Sequence, residues 1–568
     1  MEKRENWSSR LSFILAAVGS AVGLGNAWRF PGLCAKDGGG AFLVAYIIAM
    51  VVIGVPLLSM EIAIGRKSQA GAPKAMRLIN KKAEFVGWAA TSNAFFILTY
   101  YAVVFAWCIL MTIVSFKFAS SASDVDAAGS LWMNEIGVTW GTSFKDAGGN
   151  IPVALLVCLL VAWGFIYGCI RKGTSRVSKV VKYTVFLPVA MLVILAIKGF
   201  INNPYLGDAL GALFIPKWAS FGDPKLWIDA IGQAFYSLSI MMAIMFAYGS
   251  YVSRSETIAE DAMIIAVADF ACSVLSGIVL FTTMYQTGRT VDDMSASGIA
   301  TAFIIYPQSI VMLTDVPALN AIFGFVFYFM LCTLAVDSAF SILEGVSAAV
   351  ADKFLLNKKK TTKMIAIIAG LISIVYTTGA GVGWLDIVDN WTNQYTLIII
   401  GILEAICVGW FCNTKYVLDE VNLNTKAKGF KMPKWWFYGS VKYVAPAILA
   451  VLLVWQMVNL GKAGFRYNAS DYALVAEIIG GWLVTILCFA SGFIVKFACK
   501  HTKRGRTILA LEAKEPTWAE LNEKQELAED FEMEVMKEEH VDVQDGKIVD
   551  EVVNDEPVVA APVVEDKQ

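Results

Sequence analysis

Two carboxylates and one carboxamide, Asp269, Asp337 and Asn26, stand inside long apolar runs of this 568-residue chain. Ionisable side chains are costly at such positions and are kept there for function by default. Hydroxyls and an amide interrupt another run, GQAFYSLSIMMAIMFAYGSY, at Gln233, Ser237 and Ser239. The stretch GSAVGLGNAWRFP, residues 19–31, places Gly23 and Gly25 just before Asn26 and Arg29. Glycine is a poor helix former and permits unusual backbone angles, so this segment predicts an interrupted helix. Carbonyls freed by an interruption are hard oxygen ligands for a bare cation. Freed N–H groups and half-helix N-termini attract a carboxylate. One site of this kind could hold sodium and a zwitterion together. Other chemistries find no residues. The only histidines, His501 and His540, lie outside the apolar runs, and HExxH, P-loop, Ser-His-Asp and CxxC patterns do not occur. The ten cysteines read as buried free thiols.

The elements that carry these residues are membrane spans. The chain is 57% hydrophobic with mean hydropathy +0.60, and the excess falls in blocks of roughly 20 residues, enough to cross a bilayer as a helix. Twelve spans are expected, at 11–34, 41–64, 85–117, 151–170, 179–200, 227–251, 258–286, 320–353, 362–380, 385–412, 440–460 and 470–499. Lys and Arg cluster before the first span (Lys3, Arg4, Arg10) and in alternate loops, as at Arg66–Lys82 and Lys353–Lys363. The positive-inside rule then puts both termini in the cytoplasm, in agreement with an even span count. A net charge of -2 gives no sign of a nucleic-acid partner. The N-terminus does not read as a cleaved signal. From about Glu512 the sequence turns strongly acidic, the composition of a solvated tail; part of it, 518–539, could form a charged helix.

Unwound backbone in lipid must be covered by protein or line a water-filled cavity, so the first span should sit at the bundle centre. Gly19 and Gly23 also have the small-xxx-small spacing of a helix-packing face, but that reading leaves Asn26 and Arg29 without a role. The sixth span is the second interrupted one. Two broken helices five spans apart are what two inverted five-helix repeats give, a pattern of secondary transporters. The expected fold class is therefore all-α and polytopic, with discontinuous helices 1 and 6. Its expected parts are an N-terminal gate segment (1–10), a first repeat (11–200), a second (227–412), helices 11 and 12 (440–499) and the acidic tail (506–568).

The motifs GSAVGLGNAWRFP, GGGAF (38–42), GQAFYSLS (232–239), YGSY (248–251) and DSAFSILEG (337–345) resemble the neurotransmitter:sodium symporter family, in its prokaryotic amino acid branch. The similarity runs from Arg4 to about span twelve and leaves out the tail. The resemblance implies one sodium site from the Ala21 carbonyl, Asn26, Ser237, Asp269 and the substrate carboxylate. It implies a second from the carbonyls of Gly19, Val22 and Leu334 with Asp337 and Ser338. The substrate carboxylate would meet backbone N–H near Leu24 and Gly25 and the Tyr101 hydroxyl. Its side chain would meet Ile97, Tyr236, Ser239, Met242 and Ile342, with Tyr101 and Tyr236 as lid. Arg29 and Asp389 match the outer gate; Arg4 and Asp352 match the inner one, flanked by Trp7 and Tyr251. From the residues alone, Asp269 and Asp337 also fit buried structural acids, Arg29 a snorkelling side chain, and Arg4 an ordinary basic flank.

Two departures from the family pattern matter. Position 269 is Asp where many members have Asn, and chloride-dependent members pair it with a serine like Ser273. A fixed carboxylate can replace a bound anion electrostatically. Tyr46, Gln233, Ser237 and Ser273 would then form a vestigial chloride-like pocket; alternatively Asp269 cycles a proton. In span six, Met241-Met242-Ala243 stands where Gly-x-Gly is frequent, which reshapes the pocket. Gly23 replaces the aspartate of the aminergic branch and favours α-amino acids over monoamines. The expected function is sodium-coupled import of a small α-amino acid by alternating access, across the cell (inner) membrane. Rival readings are another zwitterion of taurine or betaine type, and a nutrient sensor signalling through the tail. A homodimer is compatible with the sequence, which names neither the amino acid nor the stoichiometry. Transport should be unchanged when external chloride is replaced by gluconate; a steep fall contradicts the assignment of Asp269 as the resident anion.

Overall fold

Apolar blocks of this length become helices because a bilayer offers no partner for peptide N–H and C=O groups, and a helix satisfies them internally. The computed structural model describes residues 4–120, 124–138, 149–286, 288–291, 298–425, 429–518 and 520. Residues up to Trp518 form one compact unit. Among the described residues, ten helices are long and apolar enough to cross a membrane, and an eleventh crossing is the bent pair Arg10–Ala21 and Gly25–Lys36. The twelfth is split into Pro224–Ser237 and Ile244–Gly249. In chain order, spans 2 to 5 are Gly40–Ser68, Glu84–Ala119, Val153–Ile170 and Thr174–Phe200. Spans 7 to 12 are Ile258–Gln286, Pro317–Phe354, Lys358–Thr377, Gly381–Trp410, Lys434–Lys462 and Leu474–His501. The fold is all-α and polytopic, and each five-helix set, spans 1–5 and 6–10, begins with a broken helix. No β-strand occurs among the described residues beyond one isolated bridge between Gly39 and Pro216.

Burial orders the bundle. The most apolar window of span 3 is 83% buried and that of span 2 is 72%, against 28% for spans 11 and 12, so the last two lie at the periphery. Span 3 packs along span 8, and span 1 touches spans 5, 7 and 8. Span 2 and the second half of span 6 meet backbone to backbone. A Cβ on Gly65 would stand 2.2 Å from the Phe246 carbonyl oxygen, and one on Gly249 2.4 Å from that of Ile62.

The two breaks are built differently from what glycine content suggests. Span 1 bends by 48° at residues 22–24, yet neither Gly23 nor Gly25 has a positive φ. These glycines supply room: a Cβ on Gly23 would lie 2.5 Å from Ser338 Oγ, and one on Gly25 2.8 Å from the Tyr236 ring. In span 6 the left-handed residues are Ser239 (φ 54°), Met241 (φ 63°) and Ala243 (φ 60°). Each carries a Cβ, at a cost of about 1–2 kcal/mol. The Met241 N–H, lost from the helix ladder, donates to Glu61 Oε1 at 2.6 Å from span 2.

The helix Lys503–Lys514 leads from span 12 into the expected acidic tail. Glu512 pairs with Lys353 Nζ at 2.7 Å. Glu515 pairs with Lys74 at 3.0 Å and with Arg77. The first acidic residues are thus ion-paired against basic loops rather than solvated. Beyond Trp518 the expected charged helix lies outside the described residues, apart from Glu520.

Gly65→Ala should lower the thermal midpoint of the detergent-solubilised protein, by about 1–3 kcal/mol of overpacking. Gly164→Ala, whose Cβ would meet nothing within 4 Å, serves as the control and should hold or raise it. Equal midpoints for both would contradict the backbone-to-backbone packing.

Candidate functional site

The site begins where span 1 loses its ladder. In a continuous helix the N–H groups of Gly23, Leu24 and Asn26 would bond the carbonyls of Gly19, Ser20 and Val22. Here Gly23 N–H donates to Asn26 Oδ1 at 3.0 Å, Leu24 N–H to Tyr101 Oη at 3.4 Å, and Asn26 N–H to the Gly23 carbonyl at 3.2 Å. The Ser20 carbonyl receives the hydroxyls of Ser239 (2.9 Å) and Ser338 (3.2 Å). The carbonyls of Gly19 and Val22 are released.

Two buried carboxylates face this break, in opposite electrostatic condition. Asp269 on span 7 is saturated. Its Oδ1 accepts from Asn26 Nδ2 at 2.7 Å and Ser237 Oγ at 2.7 Å; its Oδ2 accepts from Tyr46 Oη at 2.9 Å. Asn26 Nδ2 also reaches Ser273 Oγ at 2.8 Å. Of the four residues of the chloride-like pocket, Tyr46 and Ser237 therefore donate to Asp269 itself, and Ser273 joins through Asn26. Gln233 stands apart: its Nε2 donates to the Gly25 carbonyl at 3.3 Å, and its Oε1 is buried without a partner.

Asp337 on span 8 is 2% exposed, and its Oδ1 has no hydrogen-bond partner among the described residues. Buried polar atoms are paired in the great majority of cases, so an unsatisfied carboxylate oxygen here fits a cation. Gly19 lies against it, where a Cβ would stand 2.8 Å from Asp337 Oδ2. Leu334, Asp337 and Ser338 share one helical face by their spacing. The residues present thus fit a sodium ion.

Between the breaks lies a cavity of about 20 Å³, room for about one water. Its lining includes Ala21, Gly25, Asn26, Ile97, Tyr101, Tyr236, Ser237, Ser239, Met242, Ser338 and Ile342. Leu24 does not line it. Its side chain is buried, and only its N–H turns toward Tyr101.

The two ends of the bundle differ. At one, Arg4 Nη1 grips both oxygens of Asp352, at 2.6 and 2.7 Å. The Gly71 N–H donates to the same carboxylate at 2.7 Å. Trp7 donates its indole N–H to the Tyr248 carbonyl and its backbone N–H to that of Tyr251, both at 3.0 Å. The Arg4 guanidinium lies 4.8 Å over the Tyr251 ring. At the other end Arg29 and Asp389 form no ion pair. Arg29 sits 5.1 Å over the Tyr236 ring, while Asp389 accepts from Tyr100 Oη (2.7 Å) and Asn393 Nδ2 (2.8 Å). Both residues line a cavity of about 520 Å³; Arg4 and Asp352 line one of about 620 Å³ at their own end.

Several site residues escaped sequence reasoning. Glu61, which caps the span 6 break, is fully buried, as is Glu404, whose carboxyl group lies against that of Glu61. Glu344 accepts from Tyr251 Oη at 2.5 Å and pairs with Lys358. All three are carboxylates in apolar runs, and the rule that singled out Asp269 and Asp337 would have found them.

Comparison with known proteins agrees with this geometry. The model of the sodium:neurotransmitter symporter family matches residues 4–122 and 117–501. An uncharacterized sodium-dependent transporter of Methanocaldococcus jannaschii is 32% identical over 488 residues, 84% of this chain and 95% of that one. The sodium- and chloride-dependent GABA transporter 2 of Mus musculus is 26% identical, over 87% of each chain. The crystal structure of MhsT in complex with L-phenylalanine superposes with a TM-score of 0.68 at 28% identity, covering 80% of this chain and 99% of that one. Broken spans at the bundle centre, buried carboxylates and hydroxyls between them and a family match across residues 4–122 and 117–501 lead to one conclusion: the chain belongs to the sodium:neurotransmitter symporter family.

Proposed function

We propose that the protein imports a small α-amino acid with sodium, by alternating access, through the cavity between the two breaks. The observation that carries this reading is the Oδ1 of Asp337, unpartnered among the described residues, on a carboxylate whose other oxygen lies against Gly19 of span 1. Sodium is written here as a co-substrate. One ion is assigned to Asp337, Ser338 and the carbonyls of Gly19, Val22 and Leu334. A second is assigned to the Ala21 carbonyl, Asn26, Ser237 and Asp269, completed by the substrate carboxylate. The fixed charge of Asp269 already takes the donors of Tyr46 and Ser237, which supports transport without chloride.

An α-amino acid is favoured over a monoamine by the packing at Gly23. Gly23 offers no acidic side chain to hold an isolated ammonium, and Ser338 Oγ would stand 2.5 Å from a Cβ there. The substrate carboxylate is assigned to the N–H groups at Leu24 and Gly25 and to Tyr101 Oη. The narrow cavity must widen to admit it, and the hydroxyl bonds of Ser239 and Ser338 to the Ser20 carbonyl are the contacts to be exchanged. The MhsT structure with bound phenylalanine supports this substrate class.

In the proposed cycle the paired Arg4 and Asp352 keep the inner side shut while Arg29 and Asp389 stand apart over an open outer cavity. Sodium favours this state, and can do so only by its differential affinity for it. Closure of Tyr101 and Tyr236, then of Arg29 on Asp389, seals the substrate. Loss of the ion at Asp337 releases the inner pair. Both termini are assigned to the cytoplasm and the protein to the cell membrane, in keeping with the distribution of Lys and Arg.

Purified protein in proteoliposomes, offered a mixture of labelled amino acids, should accumulate at least one of them under an inward sodium gradient and not under potassium. Asp337→Asn should raise the sodium concentration for half-maximal uptake by about tenfold or more, about 1.4 kcal/mol. An unchanged sodium dependence would contradict the assignment of Asp337.

A further inference from the structure

We infer that the crevice between spans 4 and 9 binds one anionic phospholipid, with an acyl chain between the helices and the headgroup at their basic ends. Two cavities adjoin there on the same pair of helices. The first, of about 360 Å³, is an apolar groove between Leu156, Leu160 and Trp163 of span 4 and Ile367, Gly370 and Leu371 of span 9. From Leu156 to Tyr167, where its lining ends on span 4, the helical rise covers about 17 Å, the depth of one leaflet of a hydrocarbon core. Gly370 keeps the groove open: a Cβ there meets only the Trp163 ring, at 3.6–3.7 Å.

The second cavity, of about 320 Å³, continues from Ile170 and Thr362, where the groove stops, and is lined by Arg171 and Lys359. Lys363 lines the mouth of the groove itself. Arg171, Lys359 and Lys363 are exposed, and no ion pair or hydrogen bond engages their side chains among the described residues. Their neighbour Lys358 is already committed to Glu344 and the Tyr251 hydroxyl. One acid faces this cavity: Glu5, whose carboxylate accepts the Thr174 N–H at 2.9 Å and its hydroxyl at 3.3 Å. Three uncommitted cations at the membrane edge, above a slot the depth of one leaflet, match an anionic headgroup on an acyl chain. A neutral lipid would leave the charges unanswered, and a free anion would have no use for the slot. A headgroup in place would stand beside Lys358 and Glu5, which also line the cavity of Arg4 and Tyr251.

The test is lipid titration of the full-length, delipidated protein, read by native mass spectrometry and independent of any transport assay. Dioleoyl phosphatidylglycerol should bind once per chain, with a preference over dioleoyl phosphatidylcholine on the order of a hundredfold for three basic groups. The combined change Arg171→Gln, Lys359→Gln, Lys363→Gln should erase that preference. Gly370→Phe, which fills the groove and spares the charges, should lose the bound lipid while the protein stays monodisperse. The proposal is overturned if both variants bind phosphatidylglycerol as the unmodified protein does, or if phosphatidylcholine binds as tightly. It is also overturned if Gly370→Phe alone keeps the bound phosphatidylglycerol, since a free anion site would then need no groove.

Discussion

In the middle of a bilayer, a peptide group released from a helix has only protein, a bound ion or trapped water to bond to. Both broken spans obey this constraint, and the centre of the molecule is arranged around it. Span 1 turns its freed N–H groups onto Asn26 and Tyr101, and its Ser20 carbonyl onto Ser239 and Ser338. Span 6 turns Met241 N–H onto Glu61. The partners come from spans 2, 3, 6 and 8, so the breaks fix the packing order of the core. The backbone contact of Gly65 and Gly249 brings span 2 close enough for Glu61 to reach across. The strain of three left-handed residues with side chains persists because that surrounding framework over-determines the backbone.

The same constraint separates the two acids. Asp269 has protein donors on both oxygens. Asp337 keeps one oxygen without a partner among the described residues, on a carboxylate packed against Gly19, an arrangement that suits a bound cation. In the proposed cycle the first is a fixed anion that shapes the site, and the second is the point where ion binding is converted into conformational preference. The unlike ends of the bundle fit this division. Arg4 and Asp352 are paired at one end, while Arg29 and Asp389 at the other engage Tyr236, Tyr100 and Asn393 instead of each other.

Most of this architecture was legible in the sequence because membrane spans announce themselves by length and apolarity. The observed helices differ from the expected ones by a few residues at each end, where amphipathic turns such as Lys434–Tyr438 continue a helix beyond its apolar block. The span 1 break was legible in place and misleading in cause. Its glycines make room for Ser338 and Tyr236 rather than supply positive φ, and the left-handed residues appear in span 6 on Ser239, Met241 and Ala243. A local sequence carries no mark for that, because the group that stabilises it, Glu61, lies 180 residues away. Arg29 and Asp389, expected as a pair, engage Tyr236 and Tyr100 with Asn393 instead, a choice of partners that composition does not encode. The ion-paired start of the tail was hidden because Glu512 and Glu515 look like any other acids until Lys353, Lys74 and Arg77 are brought beside them.

The central claim is that the two breaks form one ion-responsive unit. It is tested most directly by hydrogen–deuterium exchange of the purified protein in sodium against potassium at equal ionic strength. The account predicts slower exchange in sodium at the amides of residues 22–26 and 238–243 together, with the peripheral spans 11 and 12 unaffected. Identical exchange in the two salts, or protection of one segment without the other, would contradict it.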